Sequence, residues 1–441
     1  VARARIRAGR TVHIRYTRDV LTRPSRAPFW AVPVLVAQLL AAAGCASALS
    51  YRYQPRLTAQ GADILAALTI AGGNEATDGN KVVPLENGDE AFPAMLDAIH
   101  AAQSNIHLET YIFRDGEIGR KFVEALVERA HAGVKVRLLL DAFGSLGFGA
   151  DNERALTEAG AQVVFFSPLR LSNLFKIHLR THRKLLIVDG RVGFTGGICV
   201  DDAWTGAATQ ADHWHETQVR VEGPVVRQMQ AAFARAWLEA TGEVLSAHSL
   251  YPKLDPVGEM RAQMMESTPG FHGNPARLSF LIAVASAHQS IEITSAYFVP
   301  DPVALDALER AARRGVKIRL ILPSRNTDTR AVRYAGRSMY ERMMEAGIEI
   351  YEFEPSRLHV KTMIVDGSWV SVGSANLDRR SFTWNYEANL NVFDSAFAGR
   401  MEAMFERDLA RSTRVNLEQW KKRPFGERFL ERLYGLFRAQ Y

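Results

Sequence analysis

The stretch His182-Arg183-Lys184-Leu185-Leu186-Ile187-Val188-Asp189-Gly190 decides the reading of the chain because it recurs 177 residues later as His359-Val360-Lys361-Thr362-Met363-Ile364-Val365-Asp366-Gly367. Both copies read His-x-Lys, four residues, then Asp. The apolar run inside each copy predicts a buried strand, and the Asp-Gly pair after it predicts a tight turn. On a strand, residues i and i+2 face the same way, so His182 with Lys184, and His359 with Lys361, are expected to point together toward one site. A lysine supplies a fixed positive charge for phosphate oxygens, while a neutral imidazole can attack phosphorus or move a proton near neutral pH. A single His-x-Lys would be read as structural. Two copies at matched places argue for chemistry.

Outward from the motifs, the rest of the chain repeats as well. Ser104-Asn105-Ile106-His107-Leu108-Glu109-Thr110-Tyr111-Ile112-Phe113 follows an alanine-rich helical stretch, as does Gln289-Ser290-Ile291-Glu292-Ile293-Thr294-Ser295-Ala296-Tyr297-Phe298. Each leads to a further helix, a glycine and a second apolar run, Gly133 to Leu140 in one copy and Gly315 to Leu322 in the other. Apolar β-branched runs alternating with helices predict an α/β fold with largely buried sheets. Gly133 and Gly315 stand where left-handed helix caps are expected. The Pro- and Gly-marked segment 251–275 reads as the linker between copies.

Polar residues after the motifs extend the candidate site. Ser374 and Asn376, in Gly373-Ser374-Ala375-Asn376, can donate hydrogen bonds to phosphate oxygens, and Glu387 can hold an imidazole in one tautomer. In the first copy the comparable carboxylate is Glu216, within Asp212-His213-Trp214-His215-Glu216. His213 and His215 are open to reading as metal ligands, but two histidines on a strand without a third ligand are poor evidence for a metal, and none is assigned.

Length and charge bound the organisation. At 441 residues the chain suits two domains, and its 47% hydrophobic and 23% charged residues argue against disorder or coiled coil. The net charge of +6 would suggest a nucleic-acid or anionic-membrane partner, but residues 1–30 hold eight arginines against Asp19 and contribute +7, leaving −1 for the remainder. A polyanion binder should show a basic excess there, so no nucleic-acid partner is expected. Two cysteines exclude a disulfide framework. Residues 1–45 read as a basic leader: arginines, then an apolar stretch, then small residues before Cys45, which resembles a bacterial lipoprotein cleavage box with Ala42 where leucine is preferred. A lipid anchor at Cys45, an uncleaved N-terminal membrane span and a misassigned start are the alternatives; the first two place the protein in the bacterial cell envelope, attached to its membrane. The expected plan is leader 1–45, linker 46–80, first domain 81–250, linker 251–275, second domain 276–410 and a basic amphipathic tail 411–441. Phe429, Leu433, Leu436 and Phe437 recur at helical spacing in that tail beside Arg428, Arg432 and Arg438, so its helix can lie in a lipid interface or dock its apolar face on the core.

The duplicated His-x-Lys-x4-Asp motif resembles the phospholipase D superfamily over residues 83–410. Arg180-Thr181-His182-Arg183-Lys184, Ala296-Tyr297-Phe298-Val299-Pro300-Asp301 and Val372-Gly373-Ser374-Ala375-Asn376-Leu377-Asp378-Arg379-Arg380-Ser381-Phe382 are similar to the bacterial cardiolipin synthase branch. The resemblance implies two α/β/α sandwich halves related by pseudo-twofold symmetry, one active site at their interface and catalysis without a metal or other cofactor. It implies that His182 attacks a phosphatidylglycerol to form a phosphohistidine, that His359 protonates the departing glycerol, and that a second phosphatidylglycerol completes cardiolipin; the residues alone are symmetric between the histidines. Lys184, Lys361, Ser374 and Asn376 would stabilise phosphoryl charge, Glu216 and Glu387 would orient the histidines, and Asp189 and Asp366 would fix the motifs. Hydrolysis to phosphatidic acid is the nearest alternative, followed by a nuclease or an inactive membrane scaffold. One departure from the branch is Cys199 after Gly196-Gly197-Ile198, where asparagine is usual; the thiol is a weaker donor and reads as a small buried residue.

Overall fold

A computed structural model of the chain describes residues 62–168, 178–269 and 274–438; the leader, Cys45 and everything before residue 62 lie outside them. The first half contributes β1 (Thr77–Glu86), β2 (Asn105–Thr110), β3 (Lys135–Asp141), β4 (Gln162–Phe166), β5 (Arg180–Thr181), β6 (Leu185–Val188), β7 (Val192–Gly196), β8 (Trp214–His215) and β9 (Thr217–Glu222). The second contributes β10 (Met260–Ser267), β11 (Ser290–Ser295), β12 (Lys317–Pro323), β13 (Glu349–Phe353), β14 (Arg357–Leu358), β15 (Lys361–Val365), β16 (Trp369–Gly373), β17 (Asn385–Phe393) and β18 (Ser412–Arg414). Strands β2, β3 and β4 are parallel, as are β11, β12 and β13. The motif strands β6 and β15 run antiparallel beside β2 and β11.

The duplication is visible in the strand order. One half runs 4-3-2-6-7-9-1 and the other 13-12-11-15-16-17-10, with β18 added outside β13; β1 and β10 then pair antiparallel and join the halves into one sheet. All of β10 and the first four residues of β1, Thr77 to Asn80, fall in segments expected to be linker. Neither Thr77–Glu86, with Gly79 and Pro84 inside it, nor Met260–Ser267, without a β-branched residue, has a strong strand signal; pairing on both sides holds each in place. Residues 62–72, also expected to be linker, form a helix that packs Ile64 and Leu68 on Met265 and Ile282.

Helices cover both faces. The outer face of the first half buries one stripe of helix Asn87–Ala101 (Ala91, Phe92, Met95, Ala98, Ile99) and of helix Glu117–His131 (Phe122, Val123, Leu126). In the second half Asp301 caps helix Pro302–Arg313, accepting from Val303 and Ala304 backbone N–H at 2.8 and 3.0 Å, and Pro302 starts it. Gly133 and Gly315 adopt φ of +90° and +94° after their helices. Helices Val226–Thr241 and Ser395–Ala410 enclose a central core shared by both halves, in which Leu185 and Val219 belong to the same cluster as Ile364 and Leu390.

Two short crossings tie the halves at the site. β5 pairs in parallel with the start of β17, setting Arg180 against Asn385 and Thr181 against Tyr386. β14 pairs in parallel with β8, setting Leu358 against His215. Each crossing delivers the chain directly into a motif histidine.

Candidate active site

The backbone N–H of His182 donates to Tyr386 C=O at 2.9 Å, and that of His359 donates to His215 C=O at 2.8 Å. Each histidine is thereby held against the strand that carries the other half's carboxylate. His182 Nδ1 lies 2.9 Å from Glu387 Oε2, and His359 Nδ1 makes a short contact with Glu216 Oε2. Both carboxylates are fully buried and both histidines nearly so. The two candidate orienting residues thus serve across the interface, each on the other copy's histidine.

The two pairs differ in their support. Glu387 accepts from Ser374 Oγ at 2.5 Å, Ser381 Oγ at 2.7 Å and Asn385 Nδ2 at 3.1 Å. Burial opposes its charge, but His182 and these donors outweigh burial and hold the carboxyl below the usual range. Glu216 has Thr217 backbone N–H at 2.9 Å and Lys361 Nζ at 3.3 Å, and here burial prevails and raises the carboxyl. Burial also lowers both imidazoles; Glu387 opposes the shift at His182, whereas Lys361 and Lys184 add to it at His359, which is lowered the more strongly. The same burial pushes Lys361 down to about 8.

The matched positions explain this asymmetry. Ser374 follows Gly373 as Gly197 follows Gly196. A Cβ on Gly197 would fall 1.9 Å from Glu216 Oε2, so glycine there lets the carboxylate fill the space that a hydroxyl occupies in the other half. Ser374, expected to face phosphate, instead spends its hydroxyl proton on Glu387 and accepts from Ala388 backbone N–H at 3.0 Å. Asn376 does line the central cavity, and its carboxamide oxygen has no partner among the described residues. Cys199, its counterpart, is buried in the cavity wall.

The cavity has a volume of about 290 Å³ and is lined by His182, Lys184, His359, Asn376 and Cys199, with Arg180 and Arg380 among the cationic groups. Lys184 Nζ donates to His182 C=O at 2.6 Å, and Lys361 Nζ bonds His359 C=O in the same way. Lys361 lies behind His359, on Glu216. Asp189 and Asp366 stay away from the cavity and tie down their motifs: Asp189 accepts from the backbone N–H groups of Gln103, Ser104 and Asn105, and Asp366 from those of His288, Gln289 and Ser290. His215 bridges Asn87 Oδ1 at 3.0 Å and Asp408 Oδ2 at 2.8 Å, while His213 Nδ1 bonds Thr205 C=O at 2.7 Å. The two are thus engaged apart, on different partners.

Sequence reasoning missed the aromatic walls and the supports of Glu387. Trp204 and Trp214 stack with centroids 5.4 Å apart and stand edge-on to His359, and Tyr111 stands 5.2 Å from His182. In the repeat Tyr111 aligns with Ala296 and Tyr297 with Ile112, so the duplication marks neither tyrosine. Nothing local marks Ser381 or Asn385.

Among known proteins, a family model described as "Cardiolipin synthase, PLD-like domain" matches residues 95–237 and 280–409. Cardiolipin synthase 2 of Bacillus anthracis is 35% identical over 378 residues, covering 85% of this chain and 72% of its own. The cardiolipin synthase of Geobacillus thermodenitrificans is 37% identical over 350 residues, covering 79% and 70%. The crystal structure of phosphatidylserine synthase from Haemophilus influenzae superposes with a TM-score of 0.64 over 85% of this chain and 97% of that one; at 11% identity it shows the shared fold alone. With its duplicated sheet and paired motifs, the chain belongs to the cardiolipin synthase family of phospholipase D-like proteins.

Proposed function

We propose that the protein is a phosphatidyltransferase that makes cardiolipin from two phosphatidylglycerol molecules. The observation that carries the mechanism is the unlike support of the crossed His–Glu pairs. Glu387 stays ionised and accepts a hydrogen bond from Nδ1–H of neutral His182, leaving the Nε2 lone pair free to attack. Glu216, raised by burial, shares a proton with His359 and acts as a reservoir for it. His182 Nε2 forms a bond to phosphorus of the first lipid as the bond from phosphorus to the glycerol oxygen breaks, and His359 gives that oxygen a proton. His359 then takes the proton of a hydroxyl on the second phosphatidylglycerol, whose oxygen displaces His182 from phosphorus. The products are cardiolipin and glycerol, and both histidines return to their starting states.

Lys184 and Asn376 line the cavity beside the histidines and are assigned to the phosphoryl oxygens, with Lys361 adding charge from behind His359. Ser374 acts through Glu387 in this scheme, and Asp189 and Asp366 hold the motif turns. The leader, through Cys45 or a membrane span, would attach the chain to the bacterial envelope where its substrates reside; no helix of the described residues is long and apolar enough to cross a membrane.

Incubation of the purified protein with phosphatidylglycerol vesicles, followed by mass spectrometry, tests the overall reaction. Cardiolipin and glycerol are expected, and phosphatidic acid alone would replace the transferase by a hydrolase. For the assignment of roles, His359→Ala is expected to accumulate a phosphoenzyme and His182→Ala to form none; the reverse pattern would exchange the two histidines.

A further inference from the structure

The C-terminal helix Phe425–Leu436 is docked through the face that usually points to water. Glu427 and Glu431 turn inward: Arg337 donates to Glu431 Oε1 at 3.0 Å and to Glu427 Oε2 at 3.3 Å, and Arg325 reaches Glu427 Oε1 at 2.9 Å. Glu431 is 1% exposed. The opposite face carries Phe425, Phe429, Leu433 and Leu436, with Phe425 77% and Leu436 78% exposed. An apolar stripe of this kind, held outward by buried ion pairs, calls for a partner.

Charge selects that partner. Arg428 and Arg432 are exposed and lie along the edge of the apolar stripe. The helix has committed both of its acids inward, so a twofold contact with a second copy would set arginines against arginines with no acid from the same helix between them. A surface combining apolar depth with negative charge is an anionic phospholipid layer. Position agrees. Arg325, which holds the first turn, precedes Asp328 and Thr329 of the cavity wall, and Trp384, 44% exposed, adjoins the lining residue Asn385.

We infer that helix Phe425–Leu436 lies in the interface of an anionic phospholipid bilayer, its apolar stripe among the acyl chains and Arg428 and Arg432 on the headgroups, and so sets the mouth of the cavity at headgroup level. The inference deepens the proposed function by naming the surface on which its substrate is met, but its test reads a different quantity.

The full chain is reconstituted in vesicles of phosphatidylcholine with or without phosphatidylglycerol, and backbone hydrogen exchange is followed in the peptide spanning residues 424–437. Phosphatidylglycerol is expected to slow that exchange roughly tenfold. The double variant Arg428→Glu/Arg432→Glu is expected to lose the protection and to turn over vesicle phosphatidylglycerol roughly tenfold more slowly, with turnover of a short-chain, water-dispersed phosphatidylglycerol within about twofold of the parent. Equal exchange in both vesicles overturns the inference, as does an equal loss of both turnovers in the variant. Protection that appears in detergent with rising protein concentration and no vesicle would assign the face to a second copy and overturns it too. Protection without any cardiolipin formed would leave this inference standing and remove the proposed reaction; cardiolipin formed without protection would do the opposite.

Discussion

Glu216 and Glu387 occupy matched positions, yet burial wins at one, while at the other the interaction with His182, helped by hydrogen bonds, overcomes it. Their replacements should differ accordingly. Glu387→Gln removes the charge that orients His182 and is expected to lower kcat by about a hundredfold or more, with phosphoenzyme formation, read by rapid quench, as the slowed step. Gly197→Ala tests the other side: the added methyl would meet Glu216 Oε2, so the His359 contact should break, activity fall at least tenfold and the melting temperature fall as well, because the buried carboxylate loses its partners. Lys361 gives a pH dependence with two opposed signs. With its folded pKa at about 8 against 10.5 unfolded, it loses its charge as pH rises through about 8, and activity should fall on that limb. Between those values the unfolded chain binds a proton that the folded chain lacks, so the Lys361 contribution to stability rises with pH across the same window. A pH–rate profile and pH-dependent melts of the parent and Lys361→Met separate the two effects; the variant should lack the stability rise.

Among elements, the turns that close β6 and β15 matter most for placing the motifs. Asp189 and Asp366 take left-handed φ of 54° and 50° while each collects three backbone N–H groups, two from the loop before β2 or β11 and one from that strand's first residue. Asp189→Ala should therefore cost about 2 to 4 kcal/mol, combining lost charge-assisted bonds with a strained backbone. Asp189→Asn, which tolerates that φ, should cost less; denaturant melts distinguish them. These turns, the motif strands and the parallel units were legible in the sequence because each is coded by a local apolar run, ended in the motif strands by Asp-Gly. The crossed pairing was not, because β5 meets β17 across some 200 residues and a two-residue strand has no pattern of its own. The junction strands β1 and β10 escaped for a related reason, since glycine, proline and methionine are made strand-like only by neighbours on both sides. Ser374 was legible as a site residue but not in its orientation, which depends on where Glu387 is buried.

At the scale of the whole molecule, one continuous sheet and a central core drawn from both halves couple their folding. Phe122 is fully buried in the outer core of the first half, and Phe122→Ala is expected to cost about 3 to 5 kcal/mol. Calorimetry should show one transition moving as a unit, and a split into two would mean that the halves unfold separately. The crossed histidine–carboxylate pairs have a consequence for ancestry. A single half contains a histidine and a carboxylate that cannot reach each other, so before fusion it could have worked only as a homodimer about a twofold axis, with two identical pairs. In such a dimer every substitution strikes both pairs at once. Fusion into one gene released them to drift apart, and glycine at 197 where the matched position 374 carries serine is the kind of divergence that a symmetric ancestor could not have carried.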